Sequence, residues 1–493
     1  MVYCDQTFDQ KGLIRLRPTS AFYSPADGWV GDVIPYAHAG RVWLFYLHEY
    51  RENPKPGTPW DVISTTDFID FTEHGTAIES GGPKAYDFNA YTGSVVKHEG
   101  RHYLYYTGHN PDILGDNGLP LQVVMVATSD DDMATWDKRP ELTFGAPENY
   151  ETSDWRDPFV FRVNDTEPWR MLITARWDHG PDRRRGVIAQ LKSDDLINWQ
   201  IAEPFYAPGR YVAHECPDVF KWGDWWYLVY SEFTDAFVTR YRMARSPEGP
   251  WFAPKHDTVD GRAFYASKSV SHEGRRFFIG WIATKEQQRD DGPYQWAGTL
   301  STLEATQKSD GTLAFSSPQE LRDIYSRELE IDFGVENLSS SISVPAEGMY
   351  AAQISKNIAP EAFRFQCRIE IGPDMEACGL LLRASEDGNE NYAIRLEPRR
   401  GRLVFDRWPR KSIGDMQWQI SGDVPHAIEL ERSCELEPGM HTLDVIVDNS
   451  TFVATLDEET TLSARMYDRS DGHIGLFAAE GTAVFSDLRL SGK

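Results

Sequence analysis

Three acidic residues stand at the head of short apolar runs that are far apart in the chain. They are Asp32 in "GDVIPY" (31–36), Asp157 in "RDPFVF" (156–161) and Glu215 in "ECPDVF" (215–220). A carboxyl at the end of a hydrophobic strand is partly desolvated, which raises its pKa and suits it to hold a proton. Two carboxyls flanking one sugar linkage are the equipment of glycoside hydrolysis. One protonates the leaving oxygen; the other attacks the anomeric carbon or activates water. Arg156, adjacent to Asp157, would favour the ionised form of a nearby carboxylate. The chemistry therefore needs a scaffold that brings distant segments together.

A repeat supplies one. "RVWLFYL" (41–47), "RHYLYYT" (101–107), "WRMLITA" (169–175), "WWYLVYS" (225–231) and "RRFFIGW" (275–281) are aromatic-rich strands spaced as propeller blades are. Each follows a short apolar strand and a tight connection, "AHAG", "KHEG", "NDTEP", "KWGD" and "SHEG", which are hairpin signals. Four units continue into a small or acidic turn before an aromatic, as in "STTDFIDF" (64–71) and "LKSDDLINW" (191–199). Helical periodicity is nearly absent. The expected fold is all-β: a five-bladed β-propeller over 1–333, a linker over 334–348 and a C-terminal β-sandwich over 349–493. "FRFQCRIEI" (363–371), "HTLDVIVD" (441–448) and "AVFSDLRLS" (483–491) carry the period-two pattern of the sandwich.

In a propeller the first strand of every blade lines the channel and all run the same way. Their leading ends, which include "YTGSVV" (91–96) and "YASKSV" (265–270), gather at one mouth. The three acids are expected at matching blade positions there. Asp218 sits deeper in its strand and is expected to satisfy backbone groups; Asp130–Asp132 reads as a solvated turn.

The 493 residues carry a formal net charge of -26, which disfavours nucleic acid and anionic membranes and makes a small neutral sugar or oligosaccharide the expected partner. Five cysteines without CxxC spacing point to reduced thiols rather than disulfides or a zinc site, and no metal or cofactor is expected. With no apolar leader or membrane-length run, a cytoplasmic location is the simplest expectation. Oligomeric state is not legible.

The motifs "WRDPFVF" (155–161), "HECPDVF" (214–220), "FYASKSV" (264–270), "GWIA" (280–283) and "WAGTLS" (296–301) resemble glycoside hydrolase family 32 over nearly the whole chain. The resemblance implies a retaining exo-β-fructofuranosidase acting on sucrose or short fructooligosaccharides. Asp32 would be the nucleophile, Asp157 the transition-state stabiliser and Glu215 the acid and then base. It also implies a sugar pocket shaped by Trp29, Trp60, Tyr91, Ser94 and Trp296, although each Trp could equally be blade packing. The chain departs from the family pattern in blade one. Gly31 replaces an Asn before the nucleophile, Val33-Ile34-Pro35 replaces Pro-Asn-Gly, and Leu47-His48-Glu49 replaces Gln-Tyr-Asn. His48 is a candidate substitute for a missing amide, or a rim histidine. These changes keep open an inverting or retaining, arabinosidase-like hydrolase of another β-linked furanoside, a non-catalytic carbohydrate-binding propeller, and a fructosyltransferase.

Overall fold

Two-residue turns set the blades. His38 pairs with Arg41, His98 with Arg101 and His272 with Arg275, and the connecting residues Ala39-Gly40, Glu99-Gly100 and Glu273-Gly274 all have positive φ. Such primed turns match the right-handed twist of the strands they join. The computed structural model describes residues 6–8, 14–16, 20–334, 341–408 and 429–493.

Blade one comprises Trp29–His38, Arg41–Glu49, Trp60–Thr65 and Phe71–Ile78; blade two Asn89–His98, Arg101–Leu114, Pro120–Ser129 and Asp137–Lys138. Blade three comprises Tyr150–Phe161, Trp169–Trp177, Gly186–Ser193 and Gln200–Tyr206. Blade four has Glu215–Trp222, Trp225–Glu232 and Val238–Ala244, its outer edge closed by single bridges from Met243 to Phe252 and Arg240 to Thr258. Blade five has Phe264–His272, Arg275–Lys285, Tyr294–Gln307 and Leu313–Ser316. The acidic turns of the second repeat are self-capped. Asp67 accepts from the Ile69 and Asp70 amides, and Asp195 from those of Ile197 and Asn198.

Ring closure joins blade five to blade one. Gly298 pairs with Val30, and the Leu300 amide donates to the Tyr23 carbonyl over 2.8 Å. Arg51 reaches over the same seam to Gln295 Oε1 (2.7 Å), Thr284 and the Trp296 carbonyl.

Beyond the short helix Gln319–Asp323 the chain enters the sandwich. Its organising strand is Gly472–Gly492. The first half pairs with Ala377–Ala384 in one layer, and the second half with Ala362–Ile371 in the other. The structure changes the expected linker. Residues 335–340 lie outside the described residues, but from Ile342 the chain is already a strand paired with Gly472–Gly492. Arg327–Leu329, before the expected linker, joins the same sheet. Ile342, Val344 and Ala346 are buried at alternate positions, so period-two burial outweighs the Ser-rich composition that suggested a connection.

One apolar cluster runs through both units, from Phe220, Phe278 and Phe315 to Phe363, Leu443 and Leu462. Polar contacts fix the docking. Ser463 donates from its amide and hydroxyl to the buried Asp260 carboxylate (2.9 and 2.8 Å). Arg465 donates to the carbonyls of Ile282 and Ala283 and to Thr299 Oγ1, each at 2.8 Å. Cys216, Cys367, Cys378 and Cys434 are buried and unpaired; Cys4 lies outside the described residues. Among the described residues no helix is long and apolar enough to cross a membrane.

Arg465→Ala removes a buried guanidinium and strands two buried carbonyls, a loss of about 3 kcal/mol. The expected result is a clearly lower denaturation midpoint followed by Trp fluorescence. An unchanged midpoint would show that these bonds do not hold the two units together.

Candidate active site

At the channel mouth every blade breaks its ladder in the same place. The register between first and second strands slips between Val30 and Val33, Tyr91 and Gly93, and Arg156 and Phe159. It slips again between Glu215 and Asp218, and between Tyr265 and Lys268. These are β-bulges, which bend the strand and re-aim its side chains. Asp157, Cys216 and Ala266, each the residue after the last paired one, all have φ near +50° to +57°. The bulges correct the expectation of matching positions. Glu215 is the last paired residue before its slip, Asp157 the first unpaired one and Asp32 the second. Bulge geometry, rather than an identical register, turns the three carboxyls into one cavity.

That cavity holds about 520 Å³ and is lined by Asp32, Leu47, Glu49, Thr58, Tyr91, Thr92, Gln122, Asp154, Arg156, Asp157, Glu215, Cys216, Tyr265 and Trp296. Its volume suits a small ligand. Asp32 accepts from Thr92 Oγ1 (2.5 Å) and Trp281 Nε1 (3.0 Å). Burial raises its pKa and the Asp157 charge adds to the rise, while the Thr92, Trp281 and Trp296 donors oppose it. Asp157 Oδ2 accepts from the Cys216 amide (2.9 Å) and Thr174 Oγ1 (3.1 Å), so blade four's bulge holds blade three's acid. Glu215 accepts from Arg156 Nη2 (3.0 Å) and the Tyr265 hydroxyl (2.7 Å). Its pKa is also raised, by burial first and Asp157 second, against the opposing pull of Arg156 and Tyr265. Arg156 is shared with Asp154 Oδ1 at 2.5 Å and stands 3.8 Å from Asp157.

Of the residues singled out from sequence, Asp32, Asp157, Glu215, Tyr91, Arg156 and Trp296 come together here; Trp29, His48, Trp60 and Ser94 do not line the cavity. Trp60 is fully buried and donates to the Ala90 carbonyl (3.0 Å), as blade packing. Ser94 Oγ accepts from the Val160 amide (3.0 Å) and ties blade two to blade three. Trp29 donates to Glu52 Oε1 at 2.7 Å. His48 lies 2.7 Å from Asp61 Oδ2 and stacks on Tyr50. Strand alternation explains His48: its neighbours Leu47 and Glu49 face the cavity, so it points away.

Gly31 has a local cause. A Cβ there would lie 2.6 Å from the Trp296 ring and 2.9 Å from the Leu47 carbonyl oxygen. The blade-five indole fills the space an Asn side chain would need. Asp218, as expected, accepts from a backbone amide, that of Ser269 (2.7 Å). Lys268, unassigned from sequence, is buried and donates to the carbonyls of Gly93 (3.0 Å) and Pro217 (3.3 Å), bridging blades two, four and five beneath the acids. Thr92, Tyr265 and Trp281 stood within quoted motifs but carried no signal of their role until ring closure set their partners.

Comparisons with known proteins bear on the family and the fold. The model of the glycosyl hydrolases family 32 N-terminal domain matches residues 22–315, and that of the family 32 C-terminal domain matches residues 334–491. The chain is similar to a raffinose invertase of Escherichia coli, 24% identical over 94% of this chain and 92% of that one. It is also similar to a sucrose-6-phosphate hydrolase of Escherichia coli, 26% identical over the same shares. Among solved structures, fructan 1-exohydrolase IIa from Cichorium intybus superposes with a TM-score of 0.74 at 17% identity, covering 97% of each chain. Sucrose-6-phosphate hydrolase from Lactobacillus gasseri gives 0.72 at 18%, covering 97% of this chain and 93% of that one. Both share the propeller-and-sandwich architecture described above. With the family models spanning both units and paired acids at the channel mouth, the chain belongs to glycosyl hydrolase family 32 and is a glycoside hydrolase.

Proposed function

We propose that the protein is a retaining exo-β-fructofuranosidase that releases fructose from sucrose or short fructooligosaccharides. The observation that carries this reading is the placement of two half-buried acids with unlike surroundings in one cavity. Asp32 is held by neutral donors, Thr92 and Trp281, whereas Glu215 sits between Arg156 and the Tyr265 hydroxyl. In the first step the Asp32 carboxylate attacks C2 of the fructosyl unit while protonated Glu215 gives its proton to the departing glycosidic oxygen. In the second, Glu215, now a carboxylate, takes a proton from water. The resulting oxygen nucleophile displaces Asp32 from C2, and fructose leaves. Asp157, anchored through Oδ2, offers Oδ1 to sugar hydroxyls and its charge to the oxocarbenium-like transition state.

The cavity's charge inventory favours an unphosphorylated sugar. Asp32, Glu49, Asp154, Asp157 and Glu215 supply five carboxyls, against Arg156 as the one fixed cation among the lining residues, and its donors are already engaged by Asp154 and Glu215. A phosphate dianion would meet repulsion with no uncommitted cation among the lining residues. Sucrose should therefore exceed sucrose-6-phosphate in kcat/KM by at least tenfold, about 1.4 kcal/mol. Equal values for the two sugars would refute the charge argument.

Glu215→Gln should lower kcat on sucrose at least about a hundredfold while leaving KM near wild type. Near-normal turnover would end the assignment. Proton NMR of the first-formed product distinguishes the mechanism: β-fructofuranose supports retention, and the α-anomer supports the inverting alternative.

The activity requires ionised Asp32 and protonated Glu215. Both pKa values are raised, so the rate should rise with pH through the Asp32 value, above the ordinary 3.8, and fall through the Glu215 value, above the ordinary 4.5. The Tyr265 hydroxyl stabilises the Glu215 anion, so Tyr265→Phe should move the falling limb to higher pH. A shift to lower pH in a pH–rate profile would contradict the assigned roles.

A further inference from the structure

The opposite end of the ring carries a second cluster. His38 closes the inner strand of blade one, His102 opens the second strand of blade two, and Asp132 lies in the turn after Pro120–Ser129. His38 Nε2 is 2.7 Å and His102 Nε2 4.0 Å from Asp132 Oδ1, and the three candidate donor atoms lie within 4.8 Å of one another. Ligand atoms on a tetrahedral zinc ion are roughly 3.3–3.5 Å apart, given bonds of 2.0–2.2 Å. Small side-chain rotations would bring these atoms to that spacing.

His102 is 0% exposed, yet neither ring nitrogen has a hydrogen-bond partner. Leaving buried polar atoms unmatched is costly, and native proteins avoid it unless something else satisfies them. The His102 ring stands edge-on to the His38 ring, with centroids 4.9 Å apart. The buried ring thus has a nitrogen free to bond a metal ion between the two imidazoles and Asp132.

The repeat provides an internal control. His98 and His272 hold the same strand-end position in blades two and five. His98 packs on Trp169 of the next blade with centroids 5.6 Å apart, and His272 packs on Phe68 at 6.4 Å. At those junctions an aromatic ring meets the histidine. At the junction of blades one and two, a second imidazole and a carboxylate take that place.

We propose that His38, His102 and Asp132 bind one divalent transition-metal ion of the zinc type, which clamps blade one to blade two on the face away from the catalytic cavity. Two imidazoles and a carboxylate suit zinc, cobalt or nickel rather than calcium or magnesium, which prefer all-oxygen sites. Lys97 Nζ, 3.2 Å from Asp132 Oδ1, now supplies the positive charge. Its side chain is partly exposed and would swing to solvent as the ion binds. His38 would bind the ion through Nε2, the atom now beside Asp132. The ion takes no part in the chemistry at Asp32, at the other end of the same strand. This site departs from the sequence-based expectation of no metal, which rested on cysteine spacing.

The test is calorimetric titration of zinc chloride into the chelator-treated full chain, purified without a histidine tag. One site per chain is expected, with a Kd in about the micromolar range or tighter, together with an EDTA-reversible rise in unfolding temperature. Asp132 is exposed, so Asp132→Asn should fold normally; it and His38→Gln should each weaken binding at least about tenfold. Cobalt should give a visible d–d spectrum on the wild type that is lost in Asp132→Asn. No saturable binding to the wild type, or equal affinity in both variants, would overturn the proposal and leave a plain His38–Asp132 ion pair.

Discussion

Everything at the catalytic mouth depends on closing a ring whose two ends are blade one and blade five. A single backbone pairing, Gly298 with Val30, joins the sheets immediately beside Asp32. So short a ladder is weak by itself. Two guanidinium groups reinforce it from different sides. Arg51 crosses the seam, and Arg465 reaches up from the sandwich to the Ile282 and Ala283 carbonyls of blade five with its guanidinium over the Trp29 ring of blade one, 5.7 Å from the centroid. The sandwich thus touches the closure, and an apolar core joins it to blades four and five.

Closure makes the electrostatics possible. Asp32, Asp157 and Glu215 come from blades one, three and four and share one cavity, where burial first and the Asp157 charge after it raise the pKa values of Asp32 and Glu215. The fold manages this crowding with fixed dipoles and one cation. The Cys216 amide steadies Asp157, indole and hydroxyl donors steady Asp32, and Arg156 lies beside Glu215. Trp296 has a second role, because its ring over Gly31 fills the space that a side chain there would need. The altered blade-one motif is in this sense a repacking between blades one and five, with the acid itself retained.

Much of this was legible in the sequence, and the omissions have physical causes. The hairpins were readable because Gly-containing two-residue turns between aromatic runs have few other uses. The acids were readable because a carboxyl heading an apolar strand is costly unless it has work to do. Leu47 and Glu49 were passed over for His48 because the phase of a strand is set by its pairing, here Val30 with His48, which no local pattern reveals. Trp60 and Ser94 were drawn to the sugar by family position, whereas burial shows them holding blades together. Lys268 could not be read at all: its acceptors belong to blades two and four and meet it only once the ring is closed.

The central claim is that Asp32 becomes covalently linked to the fructosyl unit. The most direct measurement is mass spectrometry of Glu215→Gln after rapid acid quench from a β-fructofuranoside bearing a nitrophenol leaving group. Such a group departs without a proton, while breakdown of the intermediate still needs the missing base. The account predicts a chain heavier by one fructosyl residue, with the added mass on the peptide containing Asp32. Release of nitrophenol with Asp32 unmodified, or with the label on another residue, would contradict it.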